Sequence, residues 1–433
     1  MSAHGHSTYK RTEAGVIPDD WCVATLNDIC TFENGDRGKN YPSPDSFVSN
    51  GIPFINAGHI ADGEIDCSEM NYITPRSFSR LGSGKIRRGD ILFCLRGSIG
   101  KFGVVSDSLG DGAIASSLVI IRPKTSSIYA EYLNCYFSSQ LCSRMIQTWS
   151  GGAAQPNLGA QDLAKFAISL PAHQTEQRAI AATLFDMDAL ISGLGQLIAK
   201  KRDIKQAAMQ KLLTGQQRLP GFSGEWKLVV LGNLLTMKAT YGIVTAGDFK
   251  NTGVQMMRGG DIKGGRIAHD LPFVTQEKSN EHSRTILKQD DVVISLVGYP
   301  GEAAKVPVRL EGANISRAVG LLRLNHLIAP DYLVSYLNSS MGRRMVLAPS
   351  AGSAQLVVNL MALNKMEFLL PPRPEQTAIA SILSDMDSEL AILEARRSKA
   401  RQVKQGMMQQ LLTGRIRLSQ STEETRLCRP QLA

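Results

Sequence analysis

The sequence contains no apolar run approaching the ~18 residues that a membrane-spanning helix needs. Its start, MSAHGHSTYKR, lacks the apolar core of a secretory signal. No Cys-x-x-Cys pair occurs among Cys22, Cys30, Cys67, Cys94, Cys135, Cys142 and Cys428. The odd count and the spacing argue against a zinc ribbon and a disulfide framework, and a reducing cytoplasm is the simplest setting. Charge of one sign is not dominant. Over 433 residues, 48 Lys+Arg face 39 Asp+Glu, and 43% of residues are hydrophobic, which excludes disorder throughout. The chain is long enough for two or three domains.

Catalytic constellations are also missing. Gly193-Leu194-Gly195 sits inside a helical pattern, and Gly82-Ser83-Gly84-Lys85 lacks the spacing and Ser/Thr of a phosphate loop. No HExxH occurs among seven scattered histidines. Pro371-Pro372 stands between Leu370 and Arg373, so it does not form the Asn/Asp-Pro-Pro-aromatic tetrapeptide that amino-methyltransferases carry. Asp186 and Asp188, repeated as Asp385 and Asp387, lie two apart on a helical pattern and do not share a face. They read as solvated or partner-facing groups. The chain is therefore expected not to be an enzyme by itself, with no catalytic residue, no metal site and no cofactor of its own.

What is present is a repeat, which takes precedence over every local signal. Residues 176–219 align without a gap to 375–418, with identity at about half of the positions. Each copy opens after proline (Pro171; Pro371-Pro372) and closes in Leu-Leu-Thr-Gly, where Gly215 and Gly414 suit a helix C-cap. Between these signals Ile180, Leu184, Met187, Ile191, Leu194 and Ile198 recur alternately four and three apart, as do Ile379, Leu383, Met386, Leu390 and Leu393. That is the seam of a coiled coil, interrupted at Lys201 and Lys205 in one copy and at Arg397 and Lys404 in the other. Matched seams of matched length predict that the two helices pair with each other. The runs Lys200-Lys201-Arg202 and Arg396-Arg397-Ser398-Lys399 read as a solvated face.

The segments between the helices repeat more faintly. Trp21 and Leu26 match Trp226 and Leu231; 52–60 resembles 254–262; 89–100 resembles 290–301; 150–155 parallels 350–355. Short apolar runs broken by Gly, Asn, Asp and Pro predict strands and turns. The expected boundaries are a globular domain over 1–173, a helical spacer over 174–219, a second domain over 220–374, a second spacer over 375–418 and a polar tail over 419–433.

Two dissimilar globular domains, each followed by one copy of a helical sequence, resemble the specificity subunit of type I restriction–modification enzymes from Trp21 to Leu418. The resemblance is carried by Pro171 with Glu176-Gln177 and Ile180, by Pro371 with Glu375-Gln376 and Ile379, by the two Trp-x(4)-Leu openings, and by Gly89-Asp90-Ile91 and Asp290-Asp291-Val292. It implies an α+β, pseudo-two-fold chain with two mixed target-recognition domains on an antiparallel coiled coil. Each domain would read one half of a split double-stranded DNA target, and the coiled coil would set the gap. Two modification subunits would dock on it and methylate adenine with S-adenosylmethionine. Restriction subunits would add ATP- and Mg-dependent translocation and cleavage, in the service of host defence. No membrane is implied.

Base reading needs polar side chains on loops beside strand ends. The candidates in the first domain are Asn56, His59, Arg96, Ser98, Lys101, Ser116, Ser117 and Gln155. In the second they are Arg258, Tyr299, Ser316, Arg317 and Gln355. Net charge gives weak guidance, since 1–173 holds 15 Lys+Arg against 16 Asp+Glu and 220–374 holds 17 against 12. The first domain would need a local patch near Arg96 and Lys101. Two other readings fit parts of the pattern: a structural scaffold that presents two binding domains without DNA, and a single-chain restriction enzyme, which the missing motifs disfavour.

Overall fold

The computed structural model describes residues 8–61, 63–149, 157–245, 249–350 and 356–418. The architecture is α+β. The chain divides into two compact units: Met1–Gly193 with Arg397–Ala433, and Leu194–Arg396. Each unit therefore contains one globular half, the opening of one long helix and the close of the other.

In the first unit a four-stranded antiparallel sheet runs Phe102–Val104, Ile91–Cys94, Leu118–Pro123, Cys30–Asn34. Ile91–Cys94 is buried throughout and supplies the centre, with Val119 opposite Phe93 and Ile121 opposite Ile91. Such unbroken apolar strands are what a sheet covered on both faces selects. A three-stranded sheet orders Ala113–Ile114, Ile52–Ile55 and Asn71–Ile73, its first pair parallel with Ala113 opposite Phe54. A separate antiparallel pair joins Cys22–Thr25, near the start of the domain, to Ala167–Leu170, near its end.

The second unit repeats this plan. Its four-stranded sheet runs Thr240–Tyr241, Val319–Leu322, Val292–Ser295, Ala303–Lys305. Its three-stranded sheet orders Phe273–Val274, Val254–Met257 and Asn314–Ile315, and Lys227–Val230 pairs with Glu367–Leu370. The helices also recur: Ala130–Phe137 and Gln140–Trp149 in one unit, Pro330–Asn338 and Ser340–Leu347 in the other.

The long helices span Gln174–Leu213 and Arg373–Leu411. Gly215 and Gly414 follow them with φ of 73° and 68°, the left-handed conformation that ends a helix at least cost with glycine. Pairing is antiparallel within each unit. In the first, Ile180 and Leu184 share a buried cluster with Met408, Leu411 and Leu412. In the second, Leu212 and Leu213 share one with Ile379 and Leu383. The first seam residues thus belong to globular cores, packed with Tyr132 and Leu133 or with Tyr332 and Leu333. Leu194 and Ile198 are buried, whereas Met187, Ile191, Met386, Leu390 and Leu393 are half-buried.

The residues that break the seam have partners. Lys404 donates to both oxygens of Asp188 (2.6 and 2.7 Å) in the first unit, and Lys205 pairs with Asp387 in the second. Lys201 meets Glu389 at 2.7 Å, and Arg202 meets Glu394. The first basic run is thus engaged across the helix pair, where the sequence suggested a solvated face. Asp186 and Asp385 are exposed.

The Glu-Gln motif explains why each unit needs both copies of the repeat. Arg417, just beyond the second helix, donates to Glu176 at 2.7 and 2.9 Å and to Asp20 at 2.8 and 2.9 Å, with its guanidinium 5.7 Å from the Trp21 ring centroid. Arg218, beyond the first helix, makes the same fork with Glu375 at 2.6 and 2.7 Å, and Trp226 Nε1 donates to that carboxylate at 3.1 Å. The glutamine holds the loop before the next helix. Gln177 Oε1 accepts from Tyr129 N at 2.9 Å, and Gln376 Oε1 accepts from Ala329 N at 2.7 Å.

Candidate nucleic-acid interface

In the first unit four loops converge at the ends of the sheet strands. Leu95 ties three of them: its N–H donates to Ser117 O at 2.9 Å, and its carbonyl accepts from Leu158 N at 3.1 Å. The turn that follows carries Arg96, Ser98 and Lys101 and is closed by Lys101 N donating to Ser98 O at 3.1 Å. Arg96 and Lys101 are exposed and Ser98 half-buried. Arg96 Nε donates to Asn157 Oδ1 at 3.2 Å. Ser116 and Ser117 are half-buried, and Ser116 O accepts from Arg37 Nη2 at 3.4 Å. The Tyr41 hydroxyl lies 3.5 Å from Ser116 N. Arg37, Tyr41 and Asn157 thus join this face, although the sequence reading did not name them. The available signal was the glycine-flanked Gly35-Asp36-Arg37-Gly38 turn directly after a strand.

Asn56 and His59 are otherwise employed. Asn56 Oδ1 accepts from Gly58 N at 2.8 Å, capping a short helical turn. His59 is only 7% exposed. Its Nδ1 faces Asn56 N at 3.1 Å and therefore accepts, which leaves Nε2–H to donate to Glu69 O, also at 3.1 Å. The ring is taken up by backbone groups and does not reach the open face.

The same loops occur in the second unit. Leu296 N donates to Ala318 O at 2.8 Å, and Leu296 O accepts from Val358 N at 3.1 Å. Leu296 therefore corresponds to Leu95 and Ala318 to Ser117. By the same bonds Arg317 matches Ser116, and Ser316 matches Ala115. Arg317 is exposed, and among the described residues its guanidinium makes no hydrogen bond or ion pair. Ser316 Oγ lies 3.3 Å from Ala318 N and shapes the turn. Tyr299 is 47% exposed, with Lys263 Nζ 5.4 Å from its ring centroid. Arg258 folds back on Asp261, donating at 3.1 and 2.9 Å, and this carboxylate raises the arginine's already high pKa. Asp261 stands where the first unit has His59. Gln155 and Gln355 lie outside the described residues.

Among the described residues no group of three His, Cys, Asp or Glu could hold a metal ion. No described helix is long and apolar enough to cross a membrane. Five cysteines are free thiols; burial pushes Cys30, Cys135 and Cys142 up to about 12 and Cys94 up to about 11. None of these four buried thiols is therefore poised as a nucleophile.

The sequence matches the type I restriction modification DNA specificity domain over residues 18–200 and again over 223–402. The chain belongs to this family. As a type I specificity subunit it is non-catalytic, and catalysis resides in other subunits of the complex. It is similar to the putative MjaX specificity subunit of Methanocaldococcus jannaschii, with 25% identity covering 96% of this chain and 99% of that one. It is also similar to the EcoKI specificity subunit of Escherichia coli K12, with 22% identity over 84% and 82%. Among solved structures, a chain from a study of type I R-M complex assembly and conformational transition superposes with TM-score 0.64, at 17% identity, over 92% of this chain and 99% of that one. The HsdS subunit of Thermoanaerobacter tengcongensis gives 0.52 at 19% identity, over 92% and 98%. The two matches to one domain description coincide with the two repeats of this specificity chain, one loop face in each.

Proposed function

We propose that each loop face of this specificity subunit reads one half of a bipartite double-stranded DNA target. On this reading 1–173 and 220–374 are the recognition domains, and the paired helices of 174–219 and 375–418 set the unread gap and dock two modification subunits. The observation that carries it is that one scaffold of strands occurs twice in the chain with different side chains on equivalent loops. A shared frame with divergent loops is what two independent half-site readers require.

The chemistry of the first face fits a nucleic acid. Arg37, Lys39, Arg96 and Lys101 are exposed around Tyr41, Ser116 and Asn157. Lysine serves phosphate as a point charge, whereas arginine also forks to guanine O6 and N7. A domain with no net positive charge needs such a local patch. The modification subunits would supply S-adenosylmethionine chemistry, and restriction subunits ATP- and Mg-dependent cleavage, in the prokaryotic cytoplasm where the DNA lies.

The test is to co-express the chain with its modification subunit and map adenine methylation genome-wide. A motif in two parts with an unread gap is expected. Exchanging 220–374 for the corresponding domain of a relative should change one part only. A soluble complex that methylates nothing, or an exchange that changes both parts, would overturn the reading.

A further inference from the structure

The two loop faces differ at one place where their registers can be matched. In each unit a glycine after the first sheet strand presses against the backbone opposite. A Cβ on Gly35 would lie 2.8 Å from Ile114 O, and one on Gly242 would lie 1.8 Å from Ile315 O. These contacts fix the register of two facing loops, Gly35–Arg37 with Ala115–Ser116 in one unit and Gly242–Val244 with Ser316–Arg317 in the other. Two backbone bonds confirm it in the second unit, since Ile243 N donates to Ile315 O and Arg317 N donates to Ile243 O, both at 2.8 Å. Arg37 therefore corresponds to Val244, and Ser116 to Arg317. The arginine has changed loops: the first unit carries it on the strand-end turn opposite a serine, and the second carries it on the opposite loop beside a valine.

The surroundings of Arg317 select a ligand. The other candidate arginine on this face, Arg258, is forked to Asp261. Arg317 has no internal partner, so both arms of its guanidinium are free to donate in parallel. Val244, its register neighbour, is 50% exposed, and its branched side chain is left bare in the free protein. A forked donor beside a small apolar group complements a guanine edge, with acceptors O6 and N7, beside the C5 methyl of thymine.

Building on the half-site reading above, we propose that the second unit recognises a guanine through Arg317 and a neighbouring thymine through its methyl group on Val244. Phosphate would be a poorer ligand for this pair, because a phosphate gives the valine nothing to cover.

The test uses the specificity chain in complex with its modification subunit. The half-motif read by the second unit is assigned by the 220–374 exchange. Arg317→Ala should then relax a single guanine position in that half and leave the other half unchanged. With wild-type protein, 7-deazaguanine at that position removes the N7 acceptor and leaves O6, and should weaken duplex binding roughly 5-fold, the lower end of the range for a forked base contact. Deoxyuridine in place of the adjacent thymine should weaken it by about 3- to 5-fold, the share of one buried methyl, while Val244→Gly should bind both duplexes alike. The base analogues leave the protein intact, so they decide the matter even if a variant folds poorly. A wild-type motif in two parts with no response to either analogue, or with no guanine in that half, overturns this inference alone. A wild-type complex without a two-part motif overturns the half-site reading and this inference with it.

Discussion

Gln177 and Gln376 show how one motif residue can carry different weight in the two units. Gln376 is 1% exposed; it accepts from Ala329 N and donates to Leu327 O at 3.0 Å and Pro371 O at 2.9 Å. Gln177 is fully buried, but among the described residues only its Oε1 is used, and Nε2 has no partner. Leaving buried backbone groups unpaired costs about 1–3 kcal/mol each, partly relieved by relaxation. Gln376→Ala should therefore destabilise by about 2–4 kcal/mol and Gln177→Ala by about 1–2, read as shifts in denaturant midpoint against wild type. Equal shifts would mean that the motif acts through helix packing and not through these bonds. The sequence marked both glutamines but could not rank them, because the ranking lies in which carbonyls the fold brings near. His59 and Arg258 make the same point. Both read as loop residues beside apolar runs, yet one ring is spent on backbone groups and one guanidinium on Asp261, three residues on. Lys101 on the first face is the better guide to phosphate. Lys101→Ala should weaken DNA binding about equally for all sequences and reduce the salt slope by about one, whereas Arg96→Ala should alter preference within one half-motif. Titration of binding against salt separates the two.

Along the long helices, magnitude decides what holds the pair. Asp188 is half exposed at 52%, so its pairing with Lys404 is screened and worth no more than about 1 kcal/mol. Leu184 and Leu383 are each 1% exposed and sit in the clusters that join helix to globular core. Truncation to alanine there should cost about 2–4 kcal/mol, while a double-mutant cycle on Asp188 and Lys404 should return a coupling below about 1 kcal/mol. A coupling larger than the leucine cost would mean that charge, not apolar burial, drives pairing. Periodicity made the seam legible, and it made the lysines look like interruptions. Their purpose was not legible, since a salt link between residues some two hundred apart leaves no local trace. The strands were legible in kind, from short apolar runs between turn residues. Their order was not, because parallel pairings such as Ala113 with Phe54 join segments far apart in the chain.

The whole chain was the easiest scale to read and yet held the largest surprise. The repeat announced two halves, and the natural cut fell between each helix and the next domain. The compact units cut each helix in the middle instead, at Gly193 and at Arg396. The reason is local: Arg417 and Leu412 come from the second repeat but close on Glu176 and Ser169 of the first. If the helices act as a spacer, those two points are where length can be added without disturbing either core. Seven residues inserted after Gly193 and seven after Arg396 keep the seam nearly in register, since a heptad drifts about 20° on a straight helix. They add about 10 Å of helix, equivalent to about three base pairs of DNA at ~3.4 Å each. The methylated motif should then keep both halves and widen its gap by about three base pairs. An unchanged gap would mean that the modification subunits, and not these helices, set the distance. A change in either half would mean that the recognition faces depend on helix length, which the closure of each core within its own unit argues against.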